Sequence, residues 1–288
     1  MTGQIIDGLA VAADVRMQVK KAVTELKNQG IQPSLATILV GENVSSAAYI
    51  KNKQKAAEEV GINTQDHKLP STLTQQELID LLNLLNEDDR IHGILVQLPL
   101  PSNIDEFAII KRINPDKDVD GLTPFNAGLL LNGSAYLKPC TPSGIIEMLD
   151  FYNINVMGKD AIIVNRSNLV GKPLSMLLLE RNATVTICHS KTKELKDKLR
   201  QADIIVTAVG DRETFTLSSE MVKPGSVVID VGITRHKRKI TGDVDFEEVR
   251  EKVSWITPVP GGVGPMTVSM LLKNTVTAAS IINKSDKI

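Results

Sequence analysis

Tyr49 and Lys53 stand four positions apart, so any helix that holds them puts both on one face, and a lysine set beside a phenol is a candidate for proton transfer. Surface decoration is the ordinary use of that spacing. Gln97 argues for more, because it directly follows the apolar run Ile94-Leu95-Val96, at the carboxyl edge of a strand where α/β sheets place ligands. An amide there can hydrogen-bond an ammonium and hold it. Removing solvent from such a lysine lowers its pKa from about 10.4 toward neutrality, as a general base requires. The segment Asp116-Lys117-Asp118-Val119-Asp120-Gly121 opens like a calcium loop, but its twelfth position is Ala127, where a bidentate glutamate is required, and no metal site is expected. An aspartate facing a cleft can instead accept from the N–H edge of a heterocycle, the role assigned to Asp120.

A second candidate is the stretch Pro258-Val259-Pro260-Gly261-Gly262-Val263-Gly264-Pro265, three prolines and three glycines in eight residues. Proline fixes φ and glycine permits φ > 0, so this is a rigid apolar loop able to hold backbone against something that approaches closely. A tight turn capping the helix expected over Thr267–Ile282 is its simpler use.

A third lies where Ala161-Ile162-Ile163-Val164 runs into Asn165-Arg166-Ser167-Asn168-Leu169-Val170-Gly171-Lys172-Pro173. Strand, polar turn and helix N-terminus form a pocket for phosphate, because free N–H groups and the helix dipole point at the anion. The full G-x-G-x-x-G is absent. The next strand ends at Cys188-His189-Ser190-Lys191-Thr192, with no acid where an NAD-preferring fold places one on the ribose. Arg166, Ser190 and Lys191 suit a 2′-phosphate instead, which points to NADP. Ala208-Val209-Gly210 and Ile229-Asp230-Val231-Gly232-Ile233 put small residues where a nicotinamide and its ribose would lie.

The elements that must carry these groups alternate apolar runs with helical periods, the pattern of parallel strands joined by crossover helices. Helices are expected over Val11–Leu26, Ser45–Val60 and Gln75–Asn86, with strands over Leu35–Val40, Asn63–Leu69 and Ile91–Val96. Ser143 is read as the cap of a helix running to about Tyr152. A second array of strands follows at Ala161–Val164, Thr184–Cys188, Ile204–Val209, Val227–Val231 and Val253–Ile256, and the basic run Arg235–Lys239 is read as a solvated hairpin turn. At 288 residues and 42% hydrophobic content the chain is expected to form two α/β domains with a cleft between them. They are an N-terminal catalytic domain over 1–140, onto which the last helix, 267–288, packs back, and a C-terminal Rossmann domain over 141–266.

A net charge of −1 offers no basic field for nucleic acid or an anionic membrane, and no window is apolar enough to span one. A soluble, cytoplasmic protein is expected. Cys140 and Cys188 form no CxxC and, with four histidines, no zinc set or disulfide framework; both are read as buried hydrophobes. A short-chain dehydrogenase also uses Tyr-x-x-x-Lys, but after its nucleotide loop, whereas Tyr49 precedes Asn165; chain order rejects that reading. A two-domain dehydrogenase for a small hydroxy acid would show cationic groups for a carboxylate in the cleft. A non-catalytic folate or nucleotide binder is the alternative outside enzymes.

Taken together and in order, Ser46-x-x-Tyr49-x-x-x-Lys53, Val96-Gln97-Leu98-Pro99, Lys117–Gly121, Arg166-Ser167-x-x-Val170-Gly171-x-Pro173 and Pro258–Thr267 closely resemble the bifunctional methylenetetrahydrofolate dehydrogenase/cyclohydrolase family over essentially the full length. The resemblance implies oxidation of 5,10-methylenetetrahydrofolate by NADP, hydrolysis of the methenyl product to 10-formyltetrahydrofolate, a role in one-carbon metabolism and purine biosynthesis, and a homodimer formed through the second domain. It implies that Lys53 is the main catalytic group, with Gln97 tuning it, Tyr49 contacting the folate and orienting Lys53, and Asp120 fixing the pterin edge. Val96, Leu98 and the loop Pro260, Gly261, Gly262, Val263, Gly264 and Pro265 complete the substrate site, and Asn165, Arg166, Ser167, Ser190 and Ile233 hold the cofactor. The family usually has glycine at the position of Asn165; asparagine tolerates φ > 0 best after glycine, so the turn survives, with a side chain that can crowd the cofactor. Asp211-Arg212-Glu213-Thr214 replaces the family's Lys-Pro-Gly-like turn.

Overall fold

The computed structural model describes residues 2–41, 44–236 and 239–285; side chains of residues 44–51, 235, 236, 239, 284 and 285 lie outside that description. Along the chain run β1 (Gln4–Ile5), α1 (Gly8–Asn28), β2 (Ser34–Val40), α2 (Val44–Val60), β3 (Asn63–Leu69), α3 (Gln75–Glu87), β4 (Gly93–Val96), α4 (Glu106–Ile110), α5 (Pro124–Leu131) and α6 (Cys140–Phe151). They are followed by β5 (Asp160–Val164), α7 (Gly171–Glu180), β6 (Thr184–Cys188), α8 (Leu195–Leu199), β7 (Ile204–Thr207), β8 (Val227–Asp230), β9 (Thr234–His236), β10 (Lys239–Thr241), α9 (Phe246–Arg250), β11 (Trp255–Ile256) and α10 (Val263–Ser285). Two compact units result: Met1–Ala13 with Thr141–Thr267, and Asp14–Cys140 with Val268–Ile288.

The smaller sheet, in the second of these units, is three parallel strands in the order β3-β2-β4. Central β2 and its neighbour β4 are buried along nearly their whole length, as expected where helices cover both faces of a parallel sheet, while β3 is an edge and mixes exposed with half-buried positions. Beneath β4 packs α3, which opens on a capping box between Thr74 and Glu77 and buries Leu78, Leu82 and Leu85 on one stripe. These leucines join Ile38, Ile94 and Ile109 in one apolar core.

The larger sheet is parallel throughout, in the order β1-β11-β8-β7-β5-β6. From β5 the chain first lays β6 on one side and then β7 on the other, which makes the carboxyl ends of β5 and β7 a topological switch point. Strand β1, absent from the sequence reading, adds to the sheet's far edge by pairing Gln4 and Ile5 with Trp255 and Ile256. Antiparallel β9 and β10 form a separate hairpin around the basic run, whose Lys237 and Arg238 lie outside the described residues. No described helix is long and apolar enough to cross a membrane.

Two helices with a proline in the first turn start earlier than expected: α6 begins at Cys140, so Ser143 lies inside it, and α10 begins at Val263, within the proline-glycine loop, while α7 begins at Gly171. Pro142, Pro173 and Pro265 each fall in a first helical turn, where the missing N–H has no intrahelical acceptor to lose.

Candidate active site

Lys53 lies on α2 in line with Ala56, Ala57 and Val60, the i, i+3, i+4, i+7 stripe that the helix buries, and only 6% of it is exposed. The stripe carries the ammonium under the sheet's carboxyl edge, where its Nζ donates to Gln97 Oε1 at 3.0 Å. Gln97 is itself fixed: its backbone N–H extends the β4 ladder to Ile38 O at 2.9 Å, and its Nε2 donates to Leu98 O at 2.8 Å. Burial holds the Lys53 pKa below its ordinary value of 10.5, while the nearby Asp120 carboxylate and then Cys140 pull it back up. Burial in turn raises the half-buried Asp120 carboxyl, opposed first by Lys53. Tyr49 stands one turn earlier on α2, and its side chain lies outside the described residues.

The acidic segment that opens like a calcium loop is a buried knot that sets Asp120. Lys117 donates to the carbonyls of Leu85, Asn86 and Asp88 at 3.2, 2.8 and 2.9 Å, closing the end of α3. Asp118 accepts from Leu122 N, Thr123 N and Asn126 Nδ2 at 3.1, 2.8 and 2.9 Å. From α10, Asn274 Nδ2 donates to Val119 O and Lys138 O at 2.8 and 2.9 Å, tying the segment before Asp120 to the segment before Cys140. Cys140 is buried, as expected, but it is more than a hydrophobe: its thiol donates to Val119 O at 3.3 Å and is pushed well above its usual pKa by burial and then by the nearby Asp120 carboxylate. Gly121 has φ +69° and lies so close to Lys138 and Pro139 that a Cβ would stand 2.7 Å from their backbone atoms. Gly121→Ala is therefore expected to cost about 2–4 kcal/mol of stability, read as a lowered urea midpoint.

In the six-stranded unit, the ends of β5, β6 and β7 enclose a cavity of about 450 Å³. Asn165, Arg166 and Ser190 line it together with His189, Ala208, Val209 and Thr214. Arg166 and Ser190 are exposed there, and neither makes a hydrogen bond or ion pair among the described residues, so a cation and a hydroxyl stand ready for an anionic group. Those donors, and the lack of an acid among the residues His189–Thr192 directly after β6, fit a 2′-phosphorylated dinucleotide.

Asn165 does not take a positive φ. Its side chain is folded into the turn, the Nδ2 reaching across the switch point to Ala208 O at 2.6 Å while Oδ1 accepts from Ser167 N, Ser167 Oγ and Gly171 N at 2.8, 2.7 and 3.0 Å. The amide thus does by hydrogen bonding what a left-handed residue would do by dihedral angle. Ser167 is drawn inward by the same network and, like the exposed Ile233, is not part of the cavity lining.

Val96 and Leu98 pack in the core of the three-stranded unit, which leaves their backbone as the part available to a ligand. Pro260 follows a cis peptide, Gly261 has φ +103°, and Gly262 sits with no room for a Cβ against Pro258 O; Val263, Gly264 and Pro265 form the first turn of α10. Asn274 and the involvement of Cys140 escaped the sequence reading. The one signal for Asn274 was a lone amide within an otherwise apolar helical stripe.

A parallel sheet with a cation-lined cavity at its switch point, paired with a unit holding a buried lysine, defines a dinucleotide-dependent α/β enzyme. Models of the tetrahydrofolate dehydrogenase/cyclohydrolase catalytic domain and NAD(P)-binding domain match residues 6–120 and 139–283. The chain is 58% identical over 287 residues to the bifunctional protein FolD of Nitrosopumilus maritimus, covering 100% of both, and 51% identical to that of Bacillus subtilis, covering 97% and 98%. Among solved structures it is similar to the Campylobacter jejuni bifunctional FolD methylenetetrahydrofolate dehydrogenase/cyclohydrolase (49% identity, 96% and 99% covered, TM-score 0.94). It is also similar to the Trypanosoma brucei enzyme complexed with NADP cofactor and inhibitor (38% identity, 100% of both covered, TM-score 0.93). The chain belongs to the tetrahydrofolate dehydrogenase/cyclohydrolase family.

Proposed function

We infer that this chain oxidises 5,10-methylenetetrahydrofolate to the 5,10-methenyl compound with NADP and then hydrolyses that product to 10-formyltetrahydrofolate, with Lys53 as the group that moves the proton in the hydrolytic step. The observation that carries the assignment to Lys53 is a lysine almost wholly removed from solvent, donating to Gln97 and set beside Asp120. Desolvation supplies a neutral amine at a pH where an exposed lysine is charged. As water adds to the methenyl carbon its proton passes to Nζ; the carbon–N5 bond then breaks, N5 takes up a proton, and one proton is released overall. Gln97 Oε1 fixes Nζ in line for that transfer, and Asp120 balances the ammonium it creates while accepting from the pterin N–H edge. Tyr49 contacts the folate ring system, Val96 and Leu98 offer backbone groups, and Pro260–Pro265 complete the substrate-binding set. NADP, when bound, accepts the hydride. Arg166 and Ser190 hold its phosphates, Asn165 and Ser167 shape the turn beneath them, and Ile233 covers the nicotinamide side. The protein acts as a cytoplasmic homodimer in one-carbon metabolism supplying purine synthesis, and a net charge of −1 argues against a nucleic-acid or membrane partner.

Purified protein mixed with methylenetetrahydrofolate and NADP or NAD, followed at the reduced-cofactor and methenyl absorbances, tests both steps. Reduced cofactor with NADP, and methenyl decay faster than its uncatalysed rate, are expected. Accelerated decay with neither cofactor reduced would remove the dehydrogenase half, and no change in either signal would overturn the reading. A sedimentation mass of one chain would overturn the dimer.

A further inference from the structure

Behind the dinucleotide cavity lies a pair of carboxylates to which the reaction above gives no part. Asp243 follows β10, has no exposed surface, and spends both oxygens on the loop after β7: Oδ2 accepts from Val209 N at 2.6 Å and Oδ1 from Gly210 N at 2.9 Å. Val209 lines the cavity, and Ala208, one residue earlier, is held from the opposite side by Asn165. Asp243 is anchored in turn by Asp230 at the end of β8. Asp230 Oδ1 accepts from Asp243 N at 3.0 Å, Gly232 N at 3.1 Å and Thr207 Oγ1 at 3.1 Å, and Oδ2 accepts from Val244 N at 3.0 Å. Both carboxylates are boxed in by glycine, since a Cβ on Gly232 would fall on the Asp243 carboxyl and one on Gly242 on that of Asp230.

We propose that Asp243, seated on Asp230, is a positioning residue for the redox half of the enzyme: its ionised carboxylate holds the Val209 and Gly210 amides and so sets the wall against which the dinucleotide binds. This rests on the NADP-dependent reading of the site. A carboxylate is the one side chain that offers an acceptor to both amides; an asparagine of the same shape must turn its NH₂ toward one of them.

The charges around the pair make the arrangement sensitive to pH. Among the described residues Arg212 is the cation that faces Asp243, with its Nη1 donating to Gly242 O and Val244 O at 3.1 and 3.0 Å and its Nη2 paired with Asp245. Asp211 and Asp230 are the like charges, and Asp243 is the charge that faces Asp230. Burial pushes the Asp243 carboxyl up against the lowering effect of the two amides and Arg212, and pushes Asp230 up to about 6.

Calorimetric titration of NADP into the full-length protein and into Asp243→Asn, from pH 8 to pH 5, tests this. At pH 8 the variant is expected to bind roughly tenfold more weakly, the effect of one lost charge-assisted hydrogen bond. As the pH falls and the raised Asp243 carboxyl takes up its proton, the ratio of the two affinities is expected to shrink toward one, because the parent protein loses what the variant already lacks. Protonation of the 2′-phosphate acts on both proteins and cancels in the ratio. Methenyl hydrolysis, centred on Lys53 in the other unit, keeps its rate. Gly232→Ala, which retains the charge but displaces the carboxylate, is expected to weaken NADP binding in the same way. A ratio of one at every pH, a tenfold ratio that persists to the lowest pH at which the protein stays folded, or hydrolysis lost in parallel with binding would each overturn the proposal. Failure of the parent protein to bind NADP or to hydrolyse the methenyl compound would instead strike the function on which it rests.

Discussion

Lys53→Met is expected to slow methenyl hydrolysis by roughly 10²–10⁴-fold, the usual contribution of a positioned acid–base group, with dinucleotide binding unchanged. Methionine keeps the length of the lysine stem and its place on the Ala56, Ala57 and Val60 stripe, so the core of α2 is retained. The same substitution is expected to leave stability at neutral pH equal or raised. The folded protein holds the Lys53 pKa below 10.5, so it binds fewer protons than the unfolded chain between that lowered value and 10.5, and stability rises with pH across this window. Below the window the buried ammonium is a cost, and methionine removes it. The advantage of the variant in thermal unfolding should therefore shrink as pH is raised toward 10. Turnover retained in the variant, or a stability difference that widens with pH, would show that Lys53 is not a desolvated base. A pure binder would be untouched in function by the change.

Asn165→Leu carries the second large effect. The side chain is isosteric but offers neither the donor taken by Ala208 O nor the acceptor shared by Ser167 and Gly171. Leaving these partly buried groups unpaired is expected to cost about 2–4 kcal/mol in the unit that contains them, at roughly 1 kcal/mol or more per lost bond. Hydride transfer to NADP should fall at least about tenfold as the loops after β5 and β7 come apart at the switch point, while methenyl hydrolysis persists. The contrary picture, an asparagine that crowds the cofactor, requires NADP to bind more tightly in Asn165→Gly, where the side chain is removed altogether. Thermal unfolding and NADP titration on one preparation separate the two.

The regular elements were legible because their physics is local. Asn63–Leu69 and Thr184–Cys188 stand where the pattern put them, and the buried strands β2, β4, β5, β7 and β8 read as near-continuous apolar runs because helices cover both their faces. The helix starts were misplaced by up to four residues, since a proline looks like a boundary and is equally at home inside a first turn. Strand β1 was missed because two residues carry no period; it exists through its pairing with Trp255 and Ile256.

At the site, the spacing of Tyr49 and Lys53, the place of Gln97 after a buried strand, and the missing acid directly after β6 are properties of residues near in sequence, and they marked the candidates, while the resemblance of five motifs in order named the chemistry. What the sequence could not contain is the company those residues keep. Asn274 closes the Asp120 segment from more than 130 positions away, Cys140 turns from packing residue to neighbour of Asp120 and Lys53, and Asp243 reaches back to the amides after β7. Each of these is a buried polar group whose partner is set by chain reversal rather than by period. The candidate reacting groups were therefore legible in the sequence alone, and their burial and aim were decided by the tertiary structure, because burial and hydrogen bonding exist only once the chain has closed around them.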